Sequence, residues 1–402
     1  MLRNGPDSPL RVLMVAPELY PWRADGVTEV VRGLSNALAG REEVQLAVLA
    51  TVPGGAEPYE AGYSRRIEFH KVRKYRLPEP FFHLYVMTAY AIVVLLWAWR
   101  SRNSARMVHF EILPGTRAGL AAVASLFVRL PRLITIHGWP PNEIPLEKTL
   151  RRRAGHRAHW LLAKALLRFF PTVVVNSRHM HRLAASQLKR QEIVVIPNGI
   201  DWEFWRRGVN SPNSSRLGLG WWGSFEKWKE VGVLLEAYST LHARMNGRCP
   251  PLYLAGGGAL LPAVQGWIGE RDLARQVNVL GRLDHHEIQK LSERLSIVVS
   301  PSRYEAFGIA ALEAMASGKA VVVADEGGPC EFVKDRENGL HFRAGDPESL
   351  GAALLEVCSD EALRERLASS AKASAREFDW REIAARHADL FRRIARGEDC
   401  RI

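Results

Sequence analysis

Short runs of Val, Ile, Leu and Ala alternate along this chain with longer stretches whose apolar residues return every three or four positions. The first half holds LRVLMVA, VQLAVLA, IEFHKV, MVHF, LITIHG, TVVVNS and IVVIPN. The second half holds LGWWGS, LYLAGG, VNVLG, SIVVS, AVVVAD and GLHF. Such runs read as strands buried on both faces, which occur where helices cover a parallel sheet. Strand and helix in regular alternation predict an α/β architecture. At 402 residues the chain fits two domains of ordinary size. No repeat of solenoid length interrupts the pattern.

Charge separates the two halves. The formal net charge is +12, and residues 1–200 carry 28 Lys and Arg against 14 Asp and Glu. The excess therefore lies wholly in the first half. Two clusters stand out: Arg65, Arg66, Lys71, Arg73, Lys74 and Arg76, then Arg151, Arg152, Arg153, Arg157, Lys164 and Arg168. This asymmetry suits an anionic partner, with a solvated basic face as the alternative. No nucleic-acid recognition motif accompanies the charge. The four cysteines (Cys249, Cys330, Cys358 and Cys400) are scattered without metal-ligand spacing, which favours free thiols in a reducing compartment. The N-terminal segment MLRNGPDSPLRVLMVAPELYPW lacks a signal-peptide core and reads as a first strand.

The chemistry concentrates in Ser300 to Gly318, SPSRYEAFGIAALEAMASG. SIVVS precedes it as a buried strand, and small apolar residues at helical spacing follow from Phe307. Glu305 then sits just past the carboxyl end of a strand, where open α/β sheets bind ligands. The backbone N–H groups of Phe307, Gly308 and Ile309 lie at a helix start, a natural anion site. Glu313 falls about two turns further on. The segment offers a phosphate cradle and two carboxylates for hydroxyl groups, the fittings a nucleotide sugar needs.

This spacing resembles the Glu-x7-Glu signature of the retaining glycosyltransferases of family 4, glycosyltransferase group 1. The likeness continues through SGKAVVVADEGGPCEFV, similar to that family's second sugar-binding turn, and ENGLHFRAGDPESL, similar to its hairpin and helix entry. VVIPNGID resembles its interdomain hinge. The resemblance implies a GT-B fold, two Rossmann-like domains facing each other across a cleft. Residues 1–198 would form the acceptor domain, completed by a terminal helix over 380–402, and residues 199–379 the nucleotide-sugar domain. The amphipathic stretch Trp380 to Arg396 carries that helix, with His387 on its apolar face.

By the same resemblance, Glu313 holds the donor ribose hydroxyls and Glu305 the transferred sugar, whereas a helix-capping pair is the structural alternative. GSFEKWK occupies the place of a Gly-Arg-Leu-x-x-x-Lys segment that grips the diphosphate. Lys229 matches it, but Ser224 stands where an Arg is expected, which removes a bidentate clamp. Lys227 and Arg282 are the candidates to compensate. WRADGVTEVVRGLSNAL resembles the family's Gly-Gly loop and first helix. Gly26 admits close backbone approach to the donor, Asp25 replaces the first Gly, and a plain capped turn is the alternative. His137, after ITI, matches a His that meets the transferred sugar; a lone His is otherwise structural. The Gly256–Gly258 loop borders the nucleotide in the family but makes a poor dinucleotide fingerprint. Asp284, His285, His286 and Glu287 do not share the helix face a metal would need.

The resemblance thus implies a metal-independent hexosyltransferase that keeps the donor's configuration, with a nucleotide-diphosphate sugar as co-substrate and no cofactor. The expected acceptor is a hydroxyl of an envelope glycan or lipid-linked precursor, which places the protein in the cytoplasm or peripherally on the inner membrane face. A weakly active partner subunit and a nucleotide-sugar epimerase of the same fold are the alternatives. Two segments bear on the membrane. Phe81 to Trp99 is uncharged and near the ~20 residues of a membrane span. It reads first as a buried domain helix, then as an interfacial or spanning one. Lys148 to Phe170 is basic with an apolar side, and suits either an anionic membrane or its own domain.

Overall fold

Each apolar run forms a strand, and every strand pairs in parallel with its neighbours. The computed structural model describes residues 8–19, 26–75, 78–111, 119–139, 150–188, 191–209 and 217–398. Asp25, Arg76, Lys148, Cys400 and most of the Gly208–Gly218 run lie outside them. The chain divides into two units, Met1–Gly199 with Trp380–Ile402, and Ile200–Asp379.

The first unit runs β1 (Leu10–Glu18), α1 (Gly26–Ala39), β2 (Val44–Pro53), β3 (Glu68–Lys74), α2 (Glu79–Arg100), β4 (Arg106–Phe110), α3 (Gly119–Phe127), β5 (Arg132–Ile136), α4 (Leu150–Leu167), β6 (Thr172–Val175), α5 (Arg178–Ala185) and β7 (Glu192–Val195). Its sheet has the order β3-β2-β1-β4-β5-β6-β7. The order reverses direction between β1 and β4, the switch point at which such sheets open a crevice. Right-handed crossovers put α1 on one face of this sheet and α2, α3 and α4 side by side on the other.

The second unit runs α6 (Trp202–Trp205), β8 (Leu219–Trp222), α7 (Val231–Arg244), β9 (Leu252–Ala255), α8 (Leu261–Glu270), β10 (Val277–Gly281), α9 (His285–Ser292), β11 (Ile297–Ser300), α10 (Ile309–Ala316), β12 (Ala320–Ala324), β13 (Leu340–Phe342), α11 (Pro347–Ser359) and α12 (Glu361–Ala375). Its order, β10-β9-β8-β11-β12-β13, switches between β8 and β11. Alternate strand residues feed two cores. Leu219, Val299 and Val322 pack under α7 and α11, while Val298, Val321 and Val323 pack under α10 and α12.

α13 (Trp380–Arg396) returns to the first unit and lies along α1. Ile383, Ala384, Leu390 and Phe391 share a core with Val31, Leu34 and Leu38. His387 is buried on the same face, its Nδ1 3.0 Å from the Ile383 carbonyl oxygen. A one-turn hydrogen bond thus satisfies the polar group that breaks the apolar stripe.

The Phe81–Trp99 segment departs from its first reading. It forms α2, but only one side is buried. Phe82, Val86, Tyr90, Val94 and Trp97 face the sheet, and the opposite side is open to solvent. The Tyr90 hydroxyl bonds Thr51 Oγ1 at 3.0 Å and the Ala16 carbonyl at 2.9 Å. The inward stripe is spaced every three or four residues, which a helix apolar all round hides from inspection.

Gly33 of α1 is where the terminal helix fits. A Cβ there would sit 2.2 Å from the Trp380 indole. Gly33→Leu should therefore lower the thermal unfolding midpoint, with about 1–3 kcal/mol lost to overpacking. A midpoint equal to that of wild type in a circular-dichroism melt would contradict this packing.

Candidate active site

The second unit gathers its functional side chains at the carboxyl ends of β8 and β11. After β11, the 301–308 loop carries Glu305 and reaches α10 through Gly308. Gly308 has φ +97°, and a Cβ on it would meet Pro329 Cγ at 2.5 Å. Only glycine meets both demands, so the helix begins at Ile309 rather than at Phe307. Phe307 is instead buried against Phe332 and Phe378, with ring centroids 5.2 and 6.1 Å away. The turn is closed from outside by Gly328, whose N–H donates to the Glu305 carbonyl at 2.7 Å. A Cβ on Gly328 would lie 2.3 Å from the Ala306 oxygen. The GGPC turn therefore fixes the backbone that carries Glu305, and leaves the first N–H groups of α10 without intrahelical partners.

Lys229 and Glu305 are paired in the structure. Two further bonds hold Lys229 in place. Glu230, at φ +47°, accepts from the Arg303 N–H at 3.1 Å, and Ser302 Oγ donates to the Lys229 carbonyl at 3.4 Å. The 227–230 turn is thus tied to the loop that carries Glu305, so cation and carboxylate arrive together.

Glu313 lies inside α10 and is buried. Its Oε2 accepts from Trp222 Nε1 at 2.8 Å, and its Oε1 is 3.4 Å from His285 Nε2. One oxygen is committed to the indole, which fixes the carboxylate plane. Trp222 ends β8, and His285 opens α9 behind Asp284. The Asp284–Glu287 pair forms a capping box that holds the helix start.

Ser224 follows β8 in a turn laced to the glycine loop. Gly223 N–H donates to Ala255 O at 3.0 Å, and Phe225 N–H to Gly257 O at 3.0 Å. A Cβ on Gly256 would lie 1.8 Å from the Gly223 oxygen. At Gly257 it would meet Arg282 Nε at 2.7 Å, so the Arg282 side chain lies across the residue bonded to Phe225. That places a guanidinium stem beside the turn that holds Ser224, while Lys227 is exposed.

In the first unit, Gly26 opens α1, and His137 follows β5. His137 is not alone. Its Nε2 lies 2.7 Å from Oε2 of Glu111, the residue that follows β4. Glu111 is completely enclosed, with His109 Nε2 3.1 Å from its other oxygen. His109 in turn bonds Thr135 Oγ1 at 2.7 Å and packs against His387 and Phe391 of α13, with centroids at 5.8 and 5.3 Å. Burial alone would raise the Glu111 carboxyl, but His109 and His137 outweigh it and hold it down to about 2. Burial pushes the His109 imidazole down to about 4, against the pull of Glu111. Glu111 is therefore ionised, and as an acceptor for His137 Nε2–H it orients that ring.

Glu111, Trp222 and Gly328 were not singled out in the sequence, and His285 was weighed there only as a metal ligand. For Glu111 a signal existed. It follows the run MVHF as His137 follows LITI, and strand ends are where such sheets place function. Trp222 and His285 meet Glu313 only through the fold. Among the described residues, no group of three or more His, Cys, Asp or Glu side chains is disposed to hold a metal ion.

Comparison with known proteins covers the same two units. Residues 24–204 match the family profile described as Glycosyltransferase Family 4, and residues 208–374 match Glycosyl transferases group 1. The glycogen synthase of Mycobacterium tuberculosis is 27% identical over 425 residues, spanning 97% of this chain and 96% of that one. The D-inositol 3-phosphate glycosyltransferase of Stackebrandtia nassauensis is 32% identical over 210 residues, 48% of this chain and 47% of that one. Among solved structures, sucrose-phosphate synthase from Thermosynechococcus elongatus superposes with a TM-score of 0.75 at 19% identity, covering 97% of this chain and 100% of that one. Anabaena HepE in complex with UDP and glucose gives 0.73 at 20% identity, covering 95% and 99%. These likenesses identify the GT-B fold.

The buried cluster makes the first unit sensitive to acid. A His whose folded pKa lies below its unfolded value binds fewer protons when folded, so stability falls as pH drops through that interval. For His109 the interval runs from about 6.5 to about 4, and for Glu111 from about 4.5 to about 2. Acidification from pH 7 to 4 should lower the unfolding midpoint, and His109→Gln should make that fall shallower. Equal slopes for the two proteins would show that His109 is not the buried neutral group.

Proposed function

The chain belongs to the family 4, group 1 glycosyltransferases, and we propose that it is a retaining enzyme moving a hexose from a nucleotide-diphosphate sugar to an acceptor hydroxyl. One observation carries the donor reading: the loop that enters α10 carries Glu305 paired with Lys229, and the same helix carries buried Glu313, each held by its own contacts. Glu313 keeps one oxygen for Trp222, and the proposal gives its other oxygen, which lies beside His285, to adjacent ribose hydroxyls. Glu305 receives the sugar hydroxyls. The N–H groups of Gly308 and Ile309 donate to phosphate oxygens. Binding of UDP and glucose by HepE, a protein of the same fold, favours a nucleotide-sugar donor here.

In the proposed step the bond between the anomeric carbon and the phosphate oxygen breaks, and the acceptor oxygen bonds to that carbon from the same side. The acceptor proton passes to a diphosphate oxygen, so the products are the glycoside and a nucleoside diphosphate. Lys229 stabilises the charge that grows on the diphosphate, a task that requires no metal. Arg282 supplies the guanidinium that Ser224 lacks, because its stem crosses Gly257 beside the Ser224 turn. In the first unit the proposal assigns His137, oriented by Glu111, to a sugar hydroxyl, and Gly26 to close approach of donor phosphate. Acceptors in envelope glycan synthesis suit the basic charge of the first half.

Three outcomes test this. Glu313→Gln keeps an acceptor for the indole and removes the charge, so it should fold normally while weakening donor binding roughly tenfold or more. Unchanged affinity in a titration with UDP-, GDP- and ADP-sugars would remove the ribose role. Arg282→Ala should raise the donor Kd by roughly ten- to a hundredfold; no change would return the phosphate side to Lys229 alone. Donor turnover should persist in EDTA, and its loss there with recovery on adding a divalent ion would overturn the metal-free step.

A further inference from the structure

We propose that the outer surface of α2, α3 and α4 is a docking face for an anionic lipid bilayer. Fifteen large hydrophobic residues are exposed among the described residues, and ten of them sit on these three helices. Phe81 is 65% exposed, Trp99 63%, Phe127 81% and Leu161 66%, with Leu96 and Leu162 beside them. Single exposed apolar residues are ordinary, but ten gathered on adjacent helices are not. The three helices form one layer on one face of the sheet. α2 packs on α3 and α3 on α4. Arg132 ties the ends of the last two together, donating to Ser125 O at 3.4 Å and to Phe169 O at 2.7 Å.

Charge selects the occupant. α2, α3 and α4 contain one carboxylate, Glu79, against Arg100, Arg151, Arg152, Arg153, Arg157 and Lys164. Arg157 and Arg168 are exposed, and the Arg102 guanidinium lies 4.9 Å over the Trp99 ring. Apolar side chains edged by cations and Trp suit an interface of acyl chains and anionic headgroups. A patch meant for a protein of mixed charge would carry both signs.

The helices lie on the bilayer and do not cross it. Phe81–Arg100 is long and apolar enough to span a membrane by length and composition alone. Inserting it would strip Phe82, Val86, Tyr90, Val94 and Trp97 from the core and break both bonds of the Tyr90 hydroxyl. The buried stripe anchors the helix to its sheet and leaves the opposite side for lipid. None of these residues is among those assigned to the donor, so the inference stands whether or not the transferase reading does.

Sedimentation with vesicles tests it. Full-length protein should pellet with phosphatidylcholine vesicles containing phosphatidylglycerol and stay in solution with phosphatidylcholine alone. The double variant Leu96→Gln/Trp99→Gln, and separately Phe127→Gln, should each weaken binding by about tenfold or more, as loss of interfacial apolar area requires. Arg157→Glu should weaken it at low salt and matter less at high salt. These side chains point to solvent, so unfolding midpoints and donor binding should match wild type, which separates loss of docking from loss of fold. Protein that remains soluble with anionic vesicles at low salt, or variants that bind as wild type does, would overturn the proposal. So would a dimer in sedimentation velocity that the same substitutions dissociate, because a second copy would then cover the face.

Discussion

Parallel pairing is the constraint on which everything else in this chain depends. Strands that all run one way deliver all their carboxyl ends to the same edge of the sheet. A residue one step beyond a strand is then brought near its counterparts from other strands, however distant they are in sequence. Glu111 and His137 meet in this way in the first unit, 26 residues apart. In the second, the last residue of β8, Trp222, meets Glu313 inside the helix that follows β11, 91 residues away. The helices that return the chain cover both faces, so each unit closes a core while its loops stay free to carry chemistry.

Within the second unit, the candidate recognition groups are positioned by neighbours that cannot be seen as a motif. Glu305 owes its place to Gly327 and Gly328, which fold under its backbone, and to the tether between Glu230 and Arg303. Glu313 is a buried carboxylate, and such a group is tolerated only with partners. Trp222 and His285 provide them. Arg282 shows the same principle beside the Ser224 turn. Its side chain comes from the end of β10 rather than from the turn after β8, and Gly257 leaves room for its stem. A local departure at Ser224 reads as a gap in sequence, whereas in space an arginine stem lies beside the turn that holds it.

The first unit combines a charged interior with an apolar exterior. Glu111 stays ionised in full burial because two histidines surround it, and α13 closes the cluster with His387 and Phe391. On the opposite face of the sheet, α2 uses its inward stripe for the core and leaves the outward one uncovered. The terminal helix and α2 thus solve the same burial problem differently. α13 is polar where it meets water, whereas α2 is not.

The sequence by itself determined the strands, the alternation, the Glu-x7-Glu segment and the helix that closes the chain. Those features are local: period, composition and turn residues act within a few positions of each other. The partners of Glu313, the reach of Arg282 and the Glu111–His137 pair were decided by tertiary structure, because each joins segments that only sheet order brings together. The same holds for α2. Nineteen nearly uniform apolar residues, FFHLYVMTAYAIVVLLWAW, carry too little polar contrast to say which side is inside. Docking on β2 and β1 through Tyr90 chose the inner side, and the outer side followed from geometry alone.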